Sequence, residues 1–184
     1  MKNDNNTSHI SIILLTAKAA QDNKIKGFEC RADAYIIKPF DPNKLLVQVK
    51  NLIELRCRLS EKFSKEHFAD STDNIFPGNE QEFISKAIAT VEAQLEKSRF
   101  TVEDLAKNLA MSRSQLHRKI KALTNQSTSQ FIHTVRLHKA ATLLKQSDYT
   151  ISEVAYKVGF DDAGYFTRIF QKHYGKSPRE FMKG

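Results

Sequence analysis

Two stretches decide the fold: Thr101-Val102-Glu103-Asp104-Leu105-Ala106-Lys107-Asn108-Leu109-Ala110 and Thr150-Ile151-Ser152-Glu153-Val154-Ala155-Tyr156-Lys157-Val158-Gly159. They match position by position, 49 residues apart. Each opens with a Thr suited to cap a helix and an acid three residues on, the capping-box pattern. Leu105, Ala106 and Leu109 correspond to Val154, Ala155 and Val158, and both sets predict the buried face of a short helix. The small Ala106 and Ala155 permit a close helix crossing. Ala110 and Gly159 fall in the turn that follows. Gly159 takes a positive φ readily, whereas Ala110 is expected to be strained there.

A second helix is predicted after each turn. In the first unit Ser112 is the N-cap, Gln115 completes a box, and Leu116 and Ile120 face inward. In the second the turn is one residue longer, Gly159-Phe160-Asp161-Asp162, and Phe166, Ile169 and Phe170 face inward. The outer faces then hold Arg113, Ser114, His117, Arg118 and Lys121 in one unit, and Ala163, Gly164, Thr167, Arg168, Gln171 and Lys172 in the other. A short helix, a tight turn and an outward second helix make a helix-turn-helix unit. The chemistry suits a DNA major groove. Arg pairs bidentately with guanine, Gln with adenine, and Ser, Thr and His read base edges. Lys121, Lys172 and the helix N-termini hold phosphates, and the small Ala163 and Gly164 let a helix approach the bases closely. One such match is a weak signal. Two matched copies joined by a long apolar-striped helix, over residues 128–146, are a stronger one. A purely structural helical bundle is the plain alternative.

Upstream, Phe83, Ile84, Ala87, Ile88, Val91 and Leu95 mark the core face of a further helix, so residues 81–184 read as an all-α domain. Residues 60–80 are polar, carry Pro77-Gly78, and read as a helix extension passing into a linker. Residues 1–59 differ. Ile12 to Leu15 and Ala34 to Ile37 are short apolar runs, as in strands buried on both faces of a parallel sheet. A helix is predicted between them, over 17–27. Another opens at Asp41-Pro42, with Asp41 as N-cap and Pro42 at the first helical position. Leu45, Leu46, Val49, Leu52 and Ile53 share one of its faces. Strand, helix, strand, helix points to part of a doubly wound α/β sheet. Its strands need neighbours that this sequence does not supply, and exposed edges predict a sticky or partly disordered segment.

Taken together, Met111-Ser112-Arg113-Ser114-Gln115-Leu116-His117-Arg118-Lys119-Ile120-Lys121 and the run from Ile151 to Phe181 resemble the AraC/XylS family of transcription activators. The resemblance covers about Phe83 to Met182. It implies seven helices, with two recognition helices entering successive major-groove segments on one DNA face. By position in the motif the base readers are Ser114, His117 and Arg118, then Ala163, Gly164, Thr167 and Arg168. Asn125-Gln126 departs from the family's usual Gly before Ser-Pro, but Asn tolerates a left-handed conformation.

Leu14-Leu15-Thr16-Ala17-Lys18 and Ala32-Asp33-Ala34-Tyr35-Ile36-Ile37-Lys38-Pro39-Phe40 resemble the fourth and fifth strands of a response-regulator receiver domain, which has a flavodoxin-like fold. The resemblance implies that Thr16 and Lys38 are remnants of phosphoryl contacts and Tyr35 of an aromatic switch. Arg31 stands where that family usually has Gly. The family's acidic pair and phosphoacceptor Asp would lie before this segment, and Asp4, Asp22, Asp33 and Asp41 do not take their places. The fragment is therefore not expected to accept phosphate. A receiver followed by an AraC-type domain looks like the end of a hybrid two-component regulator, with a sensor kinase ahead of both. That parent is expected to sit at the inner membrane, with this part in the cytoplasm.

The bulk numbers agree with this picture. The net charge is +8 over 184 residues. Residues 80–184 hold 17 Lys and Arg against 11 Asp and Glu, a net of +6, whereas residues 1–79 carry +2. A basic C-terminal half suits a polyanionic partner. No apolar run is long enough to span a membrane, and the polar start lacks a signal peptide's apolar region. Cys30 and Cys57 are isolated and read as reduced, buried or half-buried thiols. His133, His138 and His173 lack ligand spacing, so no metal or cofactor is expected. Arg136, on the long helix, is expected to hold a phosphate or an internal carboxylate. No nucleophile–base pair or phosphate loop supports an enzyme. Duplex DNA is the expected partner, with RNA polymerase as a second and a homodimer in the full-length protein. Two alternatives stay open at this level: a signalling fragment acting by protein contact, and a basic helical RNA binder.

Overall fold

The computed structural model describes residues 9–17, 32–65, 76, 78–97, 99–146 and 148–183. Its elements run β1 (Ile13–Thr16), β2 (Ala34–Ile37), α1 (Pro42–Lys65), α2 (Asn79–Glu92), α3 (Val102–Asn108), α4 (Arg113–Thr124), α5 (Thr128–Lys145), α6 (Ile151–Lys157), α7 (Ala163–Tyr174) and α8 (Pro178–Met182). The fold is mainly helical.

The two apolar runs pair in parallel, Ile13 opposite Ala34 through Thr16 opposite Ile37. They form a two-stranded sheet. The helix expected over 17–27 lies outside the described residues. The Asp41 carboxylate accepts the Asn43 N–H at 2.8 Å, and Pro42 opens α1, as the cap and the fixed proline φ dictate. α1 then continues without a break for 24 residues. Its upstream half leaves Leu46, Val47 and Ile53 exposed. Its downstream half enters the core. Cys57 also proves to be exposed rather than buried, because it lies on the solvent side of that half.

Two apolar cores follow the duplication. The first joins Phe83, Ile84, Ala87 and Val91 of α2 to Leu105, Leu116, Ile120, Leu123 and Phe131. It also takes in Phe63 and Phe76, from the stretch that reads as linker in sequence. Phe63 stacks on Phe131, ring centroids 6.1 Å apart and nearly parallel, and meets Phe76 at 5.9 Å. Phe63 continues the α1 face that holds Leu59, within a stretch that is otherwise mostly polar, and Phe76 stands outside any helix. The second core joins Leu137, Ala140 and Leu144 of α5 to Val154, Ala155, Val158, Phe160, Phe166 and Phe170. α5 therefore serves both: its first half closes one core and its second half the other. That explains why its buried residues spread around the helix rather than forming one stripe.

Candidate nucleic-acid interface

Each unit is built from its caps upward. Thr101 accepts the Asp104 N–H while the Asp104 carboxylate takes the Thr101 N–H and hydroxyl. Thr150 and Glu153 repeat the arrangement. These bonds hold both carboxyls below the usual carboxylate range. Satisfying the orphan N–H groups lets a seven-residue helix persist. Leu105 and Ala106, and Val154, Ala155 and Val158, are buried. Ala110 adopts φ 52° and Gly159 φ 82°, so both turns use the left-handed region. A Cβ on Gly159 would sit 2.4 Å from the Leu95 carbonyl oxygen, so only glycine fits there.

The second helix of each unit is capped as well. Ser112 and Gln115 form the box for α4, and the Asp162 carboxylate accepts the Tyr165 N–H for α7. Leu116, Ile120, Phe166 and Phe170 are fully buried. This fixes the opposite face outward. Arg113, Ser114, His117, Arg118 and Lys121 all lie exposed on α4. Gly164, Arg168, Gln171 and Lys172 are exposed on α7, with Ala163 and Thr167 half-buried. Arg113 pairs with Glu103 at 2.8 Å, Arg118 lies against the Ser114 carbonyl, and Lys121 Nζ donates to the Asn125 carbonyl at 2.8 Å. The Thr167 hydroxyl is turned back onto the Ala163 carbonyl, and Arg168 lies over the Tyr165 ring. Asn125 takes the expected left-handed conformation, φ 56°.

Lys119 and Arg56 matter although the sequence did not single them out, and Arg136 has partners it did not suggest. Lys119 is fully buried on the inner side of α4, with its ammonium 4.1 Å from the centre of the Phe83 ring. Arg56 of α1 grips Glu80 of α2 through two bonds, 2.7 and 2.9 Å. This ties the long helix beside α4. Arg136, on α5, turns to backbone acceptors rather than to a carboxylate among the described residues. Its guanidinium donates to the Gly159 carbonyl and to the Lys97 carbonyl, each at 3.0 Å. It thus pins the second turn to the segment between α2 and α3. Burial lowers its pKa, opposed by the Asp161 carboxylate. Contacts across 23, 24 and 39 residues leave no local signal in sequence.

The remaining predicted residues lie apart from this face. Thr16 and Lys38 meet at the ends of β1 and β2, where the Lys38 N–H donates to the Thr16 carbonyl at 2.7 Å. Tyr35 is opposite Leu14. No group of His, Cys, Asp and Glu among the described residues could hold a metal ion. No described helix is long and apolar enough to cross a membrane.

A family model described as a helix-turn-helix domain matches residues 105–184. Across 56% of this chain and 91% of the other, the fold is similar to an AraC-type transcriptional regulator from Chromobacterium violaceum, with 27% identity and a TM-score of 0.52. Residues 105–184 are a helix-turn-helix domain, similar in fold to that AraC-type regulator. The helix-turn-helix domain also resembles the transcriptional activator RhaS of Salmonella arizonae, 34% identical over 82 residues, 45% of this chain and 30% of that protein. A protein named histidine kinase P4 from Formosa agariphila is 35% identical over 182 residues, 99% of this chain but 13% of its own length. The chain thus spans less than a third of either curated relative. In this helix-turn-helix domain, α4 and α7 are the second helices of its two units.

Proposed function

We propose that this chain is the DNA-reading output of a hybrid two-component regulator and activates transcription from specific operators. The observation that carries the reading is the duplication itself. Two capped helix-turn-helix units each bury one side of their second helix and leave the other side polar and solvent-facing. α4 and α7 serve as recognition helices in successive major-groove segments. Ser114, His117, Arg118, Ala163, Gly164, Thr167 and Arg168 read base edges, with Arg118 and Arg168 suited to guanine. Arg113, Lys121, Gln171 and Lys172 sit at the flanks and hold the backbone.

Residues 1–59 are the end of a receiver domain, 60–80 the connection and 81–184 the reader. The parallel pairing of β1 with β2 and the Thr16–Lys38 juxtaposition favour that assignment. So does the alignment with a histidine kinase over nearly the whole chain. The segment itself carries no enzymatic activity in this reading. It works in the cytoplasm, as a homodimer within the full-length protein, beside RNA polymerase.

The test is fluorescence-anisotropy binding to a random duplex pool across salt concentrations, with sequencing of the retained DNA. A motif with two contact blocks about one helical turn apart, lost in Arg118→Ala and in Arg168→Ala, is the expected result. Absence of duplex binding even at low salt would sink the reading. Capture by structured RNA in preference to duplex would do the same, because A-form grooves do not admit a recognition helix.

A further inference from the structure

The two units differ where each recognition helix hands over to the next helix. After α7 the chain reads Ser177-Pro178, and α8 opens with a charged box partner, Glu180. After α4 it reads Ser127-Thr128, and α5 opens with a neutral one, Gln130. At that point the first unit has an extra N–H, an extra hydroxyl and one negative charge fewer. The Thr128 hydroxyl is buried, its residue only 2% exposed, and has no hydrogen-bond partner among the described residues. Thr128 is one of the residues beside an open groove of about 450 Å³, together with Ser127, Ser129, Arg113, His117 and Arg118. A buried hydroxyl without a partner is costly and is normally satisfied by something. The first N–H groups of an 18-residue helix have no partners within the helix and carry the positive end of its dipole. Arg113 is engaged by Glu103, whereas Arg118 has no carboxylate partner among the described residues.

We propose that the N-terminus of α5 is a phosphoryl-oxygen site, filled by one phosphodiester of the duplex that α4 reads. The N–H groups of Thr128 and Ser129 and the Thr128 hydroxyl donate to the phosphate oxygens, beside Arg118. The site rests on the DNA-reading function above and adds a backbone anchor that only the first unit possesses. It sets how deeply α4 sits in the groove without choosing a base.

Thr128→Pro gives the first unit the second unit's sequence at this point. Ser127 has φ −70° and ψ 159°, and Ser177, which does precede a proline, has φ −66° and ψ 157°, so proline fits without strain. In the full 184-residue chain this variant is expected to weaken binding of the selected duplex by on the order of tenfold. Thr128→Val keeps the N–H and is expected to lose about threefold. Base preference should not move in either variant. A duplex with one neutral methylphosphonate at the contacted position should bind wild type about tenfold more weakly, with no further loss in Thr128→Pro. An unchanged affinity in Thr128→Pro, at unchanged melting temperature, overturns the site, as does a shifted base preference. If wild type binds no duplex at all, the DNA-reading function has failed separately. Inorganic phosphate, followed through the Thr128 and Ser129 amide resonances, then decides: movement upholds an anion site and none overturns it.

Discussion

The first and second helix-turn-helix units share a sequence pattern but not a way of being held. The first is enclosed: α1, α2 and α5 pack around it, a buried Lys119 faces Phe83, and Arg56–Glu80 braces the outside. The second relies on aromatic density. Phe160, Phe166, Phe170, Tyr174 and Phe181 form a chain of ring contacts with centroids 4.6 to 5.5 Å apart. The first unit's outer face is basic, whereas the second opens with Ala163 and Gly164. A duplicated motif thus specifies two local shapes, and the surroundings decide what each contributes. One is anchored from many sides and presents charge; the other is self-contained and presents a small, closely approaching surface.

The largest test of that contrast is Phe170→Ala, which removes the centre of the aromatic chain. Stability should fall by about 3–5 kcal/mol. Hydrogen exchange should show α6 to α8 losing protection well before α3 and α4; equal loss in both would mean the units are one cooperative body. Arg136→Met comes next. It leaves the Gly159 and Lys97 carbonyls without their donor and should cost about 2–4 kcal/mol in chemical denaturation. Tolerance for altered spacing between the two DNA blocks should widen as well, and an unchanged spacing preference would show that the guanidinium does not set the relation between units.

The two turns then make a paired experiment of opposite sign. Gly159→Ala drives a Cβ into the Leu95 carbonyl and should destabilise by at least about 2 kcal/mol. Ala110→Gly relieves a left-handed alanine and should stabilise by roughly 0.5–1 kcal/mol. Matching signs in thermal melts would break the comparison.

The smallest effect is one of pH. His133 lies against Phe160, its buried Nδ1 without a hydrogen-bond partner among the described residues. Burial, with Arg136 nearby, lowers its pKa below the ordinary 6.5. The folded state therefore prefers the neutral ring. The stability this gives is complete above the unfolded-state pKa and declines as pH falls toward the lowered folded value, because the unfolded chain binds the proton more readily. The melting temperature of His133→Gln should drop less between pH 7.5 and 5.5 than that of wild type. His9, lowered by burial and by Lys119 and Arg56, has the same sign and leaves a residual slope.

What could be read in the sequence was local. Thr101–Asp104, Ser112–Gln115 and Thr150–Glu153 declare their boxes within four residues, and the strain expected at Ala110 appears as a positive φ. The outward residues of α4 and α7 follow from the inward ones by helical period alone. Arg136 shows the limit. A buried cation calls for acceptors, but two backbone carbonyls far along the chain look like nothing in sequence. Phe63 and Phe76 were hidden for the opposite reason, because their neighbours are mostly polar and Phe76 stands outside any helix. Thr128 gains meaning only when set against Pro178.

The length of α1 has a consequence of its own. From Pro42 to Lys65 it is one rod of about 36 Å with no Gly or Pro after its first residue. One end rises from β2, and the other is embedded beneath the first unit. Each residue added midway would swing everything upstream by about 100° while lengthening the rod by only about 1.5 Å. Seven added residues would bring it back to within about 20°. Natural or engineered exchanges of whatever precedes this reader therefore carry a phase requirement, and compatible junctions should recur with the period of a helix rather than with distance.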